Sequence, residues 1–102
     1  MTPNTMVVVH VDAELEALIP RFLANQQTAL STMQEAWRQQ DGETLRKLGH
    51  SMKGAAGGYG FDAVTDMGGA IEQAAKAGNY PEVAAWLASL AHYLERVEVV
   101  YG

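Results

Sequence analysis

Apolar residues recur at spacings of three and four along most of this chain, and short turn sequences interrupt the pattern at three points. This spacing is typical of amphipathic α-helices, which bury one face and expose the other. The interruptions are Asp41-Gly42, the glycine-rich segment 57–60 and Gly78-Asn79. Because short connections make successive long helices antiparallel, the pattern predicts an all-α fold: an up-down antiparallel four-helix bundle with a short extra N-terminal helix.

The N-terminal part is predicted to hold an extended arm and the short helix. Residues 1–11 form the arm, whose valines favour an extended backbone. Since no second strand is expected in the chain, the arm would pack across the helices rather than build a sheet. Asp12 then caps a short helix over 12–18, and Pro20 separates it from the first long helix. The predicted domain organisation is thus an arm followed by a bundle over 12–102.

Cap signals place the later helices. One helix is predicted over about 42–58, and the next opens at Asp62. Pro81 suits the first turn of the last helix, where a proline forfeits no hydrogen bond. The apolar seam of this last helix is predicted to continue through Val97 to Tyr101.

Composition and charge exclude several classes of function. The net charge of −5 over 102 residues provides no basic stripe for nucleic acid. The chain has no cysteine, and His10 and His92 are too scattered for a metal-binding pattern, so no metal site is expected. No segment is long enough to span a membrane, and the N-terminus lacks the basic start of a signal peptide. We therefore expect a cytoplasmic protein, and a monomer because the apolar stripes are accounted for within the bundle.

His50 occupies a position that the apolar core does not require. Leu45, Leu48 and Met52 mark the buried stripe of its helix, and at about 100° per residue His50 falls on the opposite face. Its neighbours on that face are two cations and two glycines: Arg46, Lys53, Gly54 and Gly57. A glycine inside a helix costs about 1 kcal/mol relative to alanine. Two of them beside one histidine indicate that something large approaches the imidazole.

The residues around His50 suit phosphoryl chemistry. Neutral imidazole is a nucleophile, and the neighbouring cations disfavour its protonated form. Lys53 could neutralise a phosphoryl group carried on a ring nitrogen, although a solvated helix lysine explains it equally well when it is considered alone. A lone histidine is usually a surface residue or a satisfied core residue, and it is the cations and glycines around His50 that favour a function. Lys53 precedes the glycines, so the GxxxxGK[ST] order of ATP-binding loops is absent. Self-phosphorylation from ATP is therefore not expected.

One short motif resembles the phosphoacceptor signature of histidine-containing phosphotransfer (HPt) domains. It is the sequence HSMKG at 50–54, followed by small residues and a later glycine. The similarity extends from residue 11 to the end of the chain, with Ile71-Glu72 resembling the Leu-Glu pair of the family. The resemblance implies a four-helix bundle whose histidine is phosphorylated on Nε2 by the aspartyl phosphate of a receiver domain.

The resemblance also implies a role for each residue of the predicted site. His50 would be the phosphoacceptor and Lys53 the phosphate-stabilising cation. The residues assigned to partner docking and access are Arg46, Gly54 and Gly57. Glu72 would orient the ring, with its neighbour Gln73 as the alternative because the family often has an amide beside the histidine. Gly49 stands where the family favours alanine, and we expect it to add flexibility to the helix without affecting the chemistry.

The implied partners are receiver domains of response regulators, a hybrid sensor kinase, or both. The protein would be a phosphotransfer intermediate in two-component signalling and not an enzyme. It would need no cofactor of its own, since the receiver domain would bring Mg²⁺. The alternative is a helical adaptor that binds a receiver or kinase without accepting phosphate, and a metal-binding bundle is a more distant one.

Overall fold

The computed structural model describes residues 6–102, which form four α-helices with short strands at either end. The helices are α1 (Ile19–Arg38), α2 (Gly42–Ala56), α3 (Asp62–Lys76) and α4 (Tyr80–Arg96). Each helix packs against the next in sequence, and α4 closes the bundle against α1. The predicted all-α four-helix bundle is confirmed. None of the helices within residues 6–102 is both long enough and apolar enough to cross a membrane.

The turn residues end and begin the helices for local reasons. The Asp41 side chain accepts a hydrogen bond of 3.1 Å from the Thr44 amide and so caps α2. Asn79 caps α4 in the same way. The α2 helix tightens into a 3₁₀ turn, Gly57–Tyr59, where the sequence predicted α-helix to about residue 58. Gly60 then reverses the chain with a φ of 85°, a backbone angle that glycine adopts without steric cost.

Asp12 caps the short N-terminal helix, as predicted. Its side chain accepts a hydrogen bond of 2.9 Å from the Glu14 amide. The segment that follows, Ala13–Leu18, is a 3₁₀ helix and leads directly into α1, with Pro20 in the first turn.

Two strands pair in a parallel sheet that the sequence pattern did not predict. They are β1 (Val7–Val11) and β2 (Val97–Tyr101), and their register sets Val7 beside Val97. The prediction that the arm has no partner strand is therefore wrong. The continuation of the last helix to Tyr101 is also wrong, because α4 ends at Arg96. Residues 1–5 of the predicted arm lie outside the described residues.

The error at the end of α4 came from an ambiguous spacing. Val97 and Tyr101 are four residues apart, and both a helix and a strand place such residues on one face. In the structure Val99 joins them on the half-buried side, while Glu98 and Val100 are exposed. The period is therefore two, and β-branched valines fit the pleated backbone better than a helix.

The core runs the length of the bundle and fixes α2 against α3. Its largest fully buried side chains come from all four helices and the α2–α3 turn: Phe61, Ile19, Met33, Leu45, Ile71, Leu90, Val64 and Val83. This packing holds α2 firmly against α3 and leaves the solvent-facing side of α2 next to α3.

Candidate functional site

His50 lies on the solvent-facing side of α2, as the helical spacing indicates. Its side chain is 66% exposed. On the opposite side of the same helix, Leu45 and Met52 are buried in the core. The ring is therefore accessible to a second molecule, while its helix is held rigidly from below.

A buried carboxylate from α3 holds the ring. Glu72 is only 4% exposed, and its Oε2 lies 3.0 Å from Nδ1 of His50. Lys53 Nζ lies 3.0 Å from the other carboxylate oxygen, Oε1. Lys76 Nζ lies 3.8 Å from Oε2. One carboxylate thus connects the imidazole with two ammonium groups.

Glu72 is ionised at neutral pH, and this sets the proton position on the ring. The Lys53 ammonium beside it holds the pKa of Glu72 below its usual value, although burial opposes this and His50 adds to it. A carboxylate accepts hydrogen bonds and donates none, so we assign the donor hydrogen to Nδ1 of His50. In the neutral ring the lone pair then belongs to Nε2, the nitrogen that can act as nucleophile.

Lys53 reaches Glu72 by lying along α3. A Cβ atom built on Gly69 would come within 3.2 Å of Cδ of Lys53, so the glycine leaves the groove in which the lysine stem runs. The side chain is 42% exposed, and its contact with Oε1 is an ion pair without an aligned hydrogen bond. The ammonium therefore lies beside the Glu72 carboxylate and is open to solvent.

Gly54 and Gly57 leave open space beside His50. A Cβ atom on Gly54 would meet nothing within 4 Å, and one on Gly57 would meet only Thr65 Oγ1, at 3.7 Å. Packing within residues 6–102 therefore does not require glycine at either position.

Gly49 has a packing role that the sequence did not reveal. A Cβ atom there would lie 2.7 Å from the carbonyl oxygen of Gly68, and one on Gly68 would lie 2.9 Å from that of Gly49. The α2 and α3 backbones are thus in direct contact, and the expectation that Gly49 merely adds flexibility is wrong. Since Gly49 precedes His50 and Gly68 lies one turn before Glu72, this contact sets the gap that the ring and the carboxylate bridge.

Comparison of the sequence with models of protein families finds a family that matches most of the chain. The family model for the Hpt domain matches residues 17–99. The chain belongs to the Hpt domain family. Hpt domains carry phosphoryl groups on histidine in phosphorelays, interact with receiver domains and kinases, and are not a family of catalytic enzymes. Comparison with curated proteins and with solved structures finds no match.

Two residues predicted for the site of this Hpt domain stand apart from the His50–Glu72 contact. Arg46 is half-buried on α2 and forms no ion pair with any of residues 6–102. Gln73 is exposed, and the partner of the ring is Glu72, its neighbour in sequence. Residues 6–102 contain no cluster of three histidine or acidic side chains that could hold a metal ion.

The structure adds three residues that sequence reasoning missed in the Hpt domain. They are Gly68, Gly69 and Lys76, all on α3. Lys76 follows Glu72 by four residues, a helical spacing that could have identified it. The two glycines gave a weaker signal, since a glycine pair within a helix does not reveal which neighbour it approaches.

Proposed function

We propose that this Hpt domain is a phosphocarrier in which His50 accepts a phosphoryl group from one receiver domain and passes it to another. The observation that carries the proposal is the contact between the exposed imidazole and the buried Glu72 carboxylate, 3.0 Å apart. A carboxylate on Nδ1 leaves Nε2 as the nucleophile and fixes the orientation of the ring. Phosphoryl transfer depends mainly on such positioning and on charge stabilisation.

In the proposed step the phosphoryl group passes directly from the aspartate of the receiver domain to the ring of His50. The Nε2 lone pair of His50 attacks the phosphorus of the aspartyl phosphate, and the bond from phosphorus to the aspartyl oxygen breaks. The aspartate leaves as a carboxylate with the bonding electrons. The ring keeps its Nδ1 proton and becomes positively charged, and the Glu72 carboxylate stabilises that charge. Transfer to the next receiver is the same step in reverse.

The other residues have roles that follow from charge and space. Lys53 would move from Glu72 to the phosphoryl oxygens and neutralise part of their charge. Gly54 and Gly57 would admit the receiver, and Arg46 would contact its acidic surface. We expect the receiver domain to hold the Mg²⁺, because the carboxylate nearest the ring already lies beside two ammonium groups.

Incubation with a phosphorylated receiver domain tests the proposal. The protein should acquire an acid-labile, base-stable label, and the His50→Gln variant should acquire none. His92→Gln is the matched control, because His92 is an exposed histidine on α4 and its loss should leave labelling unchanged.

Two results would overturn the phosphocarrier proposal. One is a label that persists in His50→Gln. The other is calorimetric binding of a receiver domain that produces no label and is equally strong in His50→Gln, which would identify an adaptor that does not transfer phosphate.

A further inference from the structure

Lys76 supplies a second cation to the carboxylate that holds the ring. It lies in the last turn of α3, four residues after Glu72, with its side chain about half exposed. Its Nζ is 3.8 Å from Oε2, the oxygen that also contacts His50. Lys53 occupies the other oxygen at 3.0 Å. The two lysines thus approach the carboxylate at different oxygens, one from each helix.

Glu72 needs a cation because its side chain is only 5% exposed. A buried carboxylate that loses its counter-charge destabilises the structure around it. Lys53 must leave Glu72 while the charge on the phosphoryl oxygens develops, before the His50 ring carries its full positive charge, so a second cation beside Glu72 lowers the cost of that movement. Lys76 is already in position and needs only to shorten its contact.

We propose that Lys76 is a positioning residue that takes over the charge of Glu72 when Lys53 turns to the phosphoryl group. The inference rests on the proposed phosphocarrier function. Lys76 does not touch the phosphoryl group in this scheme and acts through Glu72. Without Lys76, Glu72 retains Lys53, and the charge that develops on the phosphoryl oxygens lacks its ammonium partner.

Single-turnover transfer from a saturating phosphorylated receiver domain tests the role of Lys76. Lys76→Met should slow the labelling of His50 about threefold to tenfold, a change typical of coupled charges in contact. Lys76→Arg should restore most of the rate, because it restores the charge. Arg38→Met is the matched control, since it removes a cation that is paired within a single helix, α1, and should not alter the rate.

A double-mutant cycle with Glu72→Gln separates this role from receiver docking. The amide can still accept the Nδ1 hydrogen bond, so Glu72→Gln should retain measurable transfer. In that background Lys76→Met should have no further effect, because there is no carboxylate to neutralise. An equal loss in both backgrounds would overturn the inference, and so would a failure of Lys76→Arg to restore the rate.

The two proposals fail in distinguishable ways. A normal rate in Lys76→Met would overturn the role of Lys76 and leave the phosphocarrier proposal intact. The absence of a His50-dependent label in the unaltered protein would instead overturn the phosphocarrier proposal itself. Thermal unfolding of Lys76→Met should match that of the unaltered protein, because a half-exposed ion pair contributes little to stability.

Discussion

The α2–α3 contact and the terminal sheet hold the chain together in opposite ways. At the contact, Gly49 and Gly68 allow two backbones to touch, so that long polar side chains beside them can meet. In the sheet, the inward valines of β1 and β2 pack against the core, and their alternation decides which are covered. The α2–α3 contact requires glycine, because any side chain would push the two backbones apart. The sheet instead requires valine side chains, because these pack against the core.

Gly49→Ala should have the largest effect of the substitutions that compare these regions. The added methyl group would lie 2.7 Å from the Gly68 carbonyl oxygen, so α2 and α3 must separate. We expect the free energy of unfolding to fall by about 1–3 kcal/mol, as is usual for overpacking. Urea denaturation measures this change, and slower phosphotransfer to His50 should accompany it because the ring and Glu72 move apart.

Gly54→Ala is the control on the same helix. A methyl group there meets nothing within 4 Å, and alanine is the better helix former. The free energy of unfolding should therefore rise by about 0.5–1 kcal/mol. Equal destabilisation by the two substitutions would show that the close approach of α2 and α3 is not what distinguishes Gly49.

Substitutions in β2 should show a smaller and one-sided effect. Val99→Thr places a hydroxyl group on the half-buried side of the sheet and should lower the free energy of unfolding by about 1 kcal/mol. Val100→Thr alters the exposed side and should change it by less than about 0.5 kcal/mol. Phosphotransfer should be normal in both. Similar losses at the two positions would contradict the alternation of the strand.

The pH dependence of stability should give the smallest effect. The pKa of Glu72 is lowered in the folded protein, chiefly by Lys53, from an ordinary value of 4.5. A carboxyl group whose pKa is lower in the folded than in the unfolded protein stabilises the fold at pH values above its unfolded-state pKa. That stabilisation is lost as the pH falls through its folded-state pKa. As the pH falls through and below 4.5, the ordinary pKa of the glutamate side chain, the parent protein should therefore lose stability more steeply than Glu72→Gln. An equally steep loss of stability with falling pH in the two proteins, measured by urea denaturation, would contradict the ion pair between Lys53 and Glu72.

The fold was predictable where the pattern is long and local. α1 holds helical spacing over 20 residues, and Asp41 and Asn79 mark helix starts by their own chemistry. The sheet was not predictable in this way, because β1 and β2 come from opposite ends of the chain. The preference of β1 for an extended backbone could be predicted from its valines. Its partner, β2, could not, because the inward residues of β2 have a spacing that also fits a helix.

In the site, too, the features that lie within one helix could be predicted, and those that depend on the packing of two helices could not. His50, Lys53 and the two glycines that follow lie on one helix, so spacing alone placed them on a common face. Glu72 entered through the family resemblance, and its contact with His50 depends on how α3 is rotated against α2. The spacing of residues within one helix carries no information about how that helix is rotated against another. The packing role of Gly49 could have been predicted, since this glycine falls on the buried side of α2, four residues after Leu45.

The parallel register of the sheet bears on how the fold would respond to mechanical force. Val7 enters the sheet beside Val97, whereas Tyr101 leaves it beside Val11, at the other end. A pull applied to the two ends of the described chain would therefore slide β1 along β2 and load all their hydrogen bonds at once. Strands that enter and leave at the same end would instead peel apart bond by bond. The two-stranded sheet is thus the element that would resist stretching first.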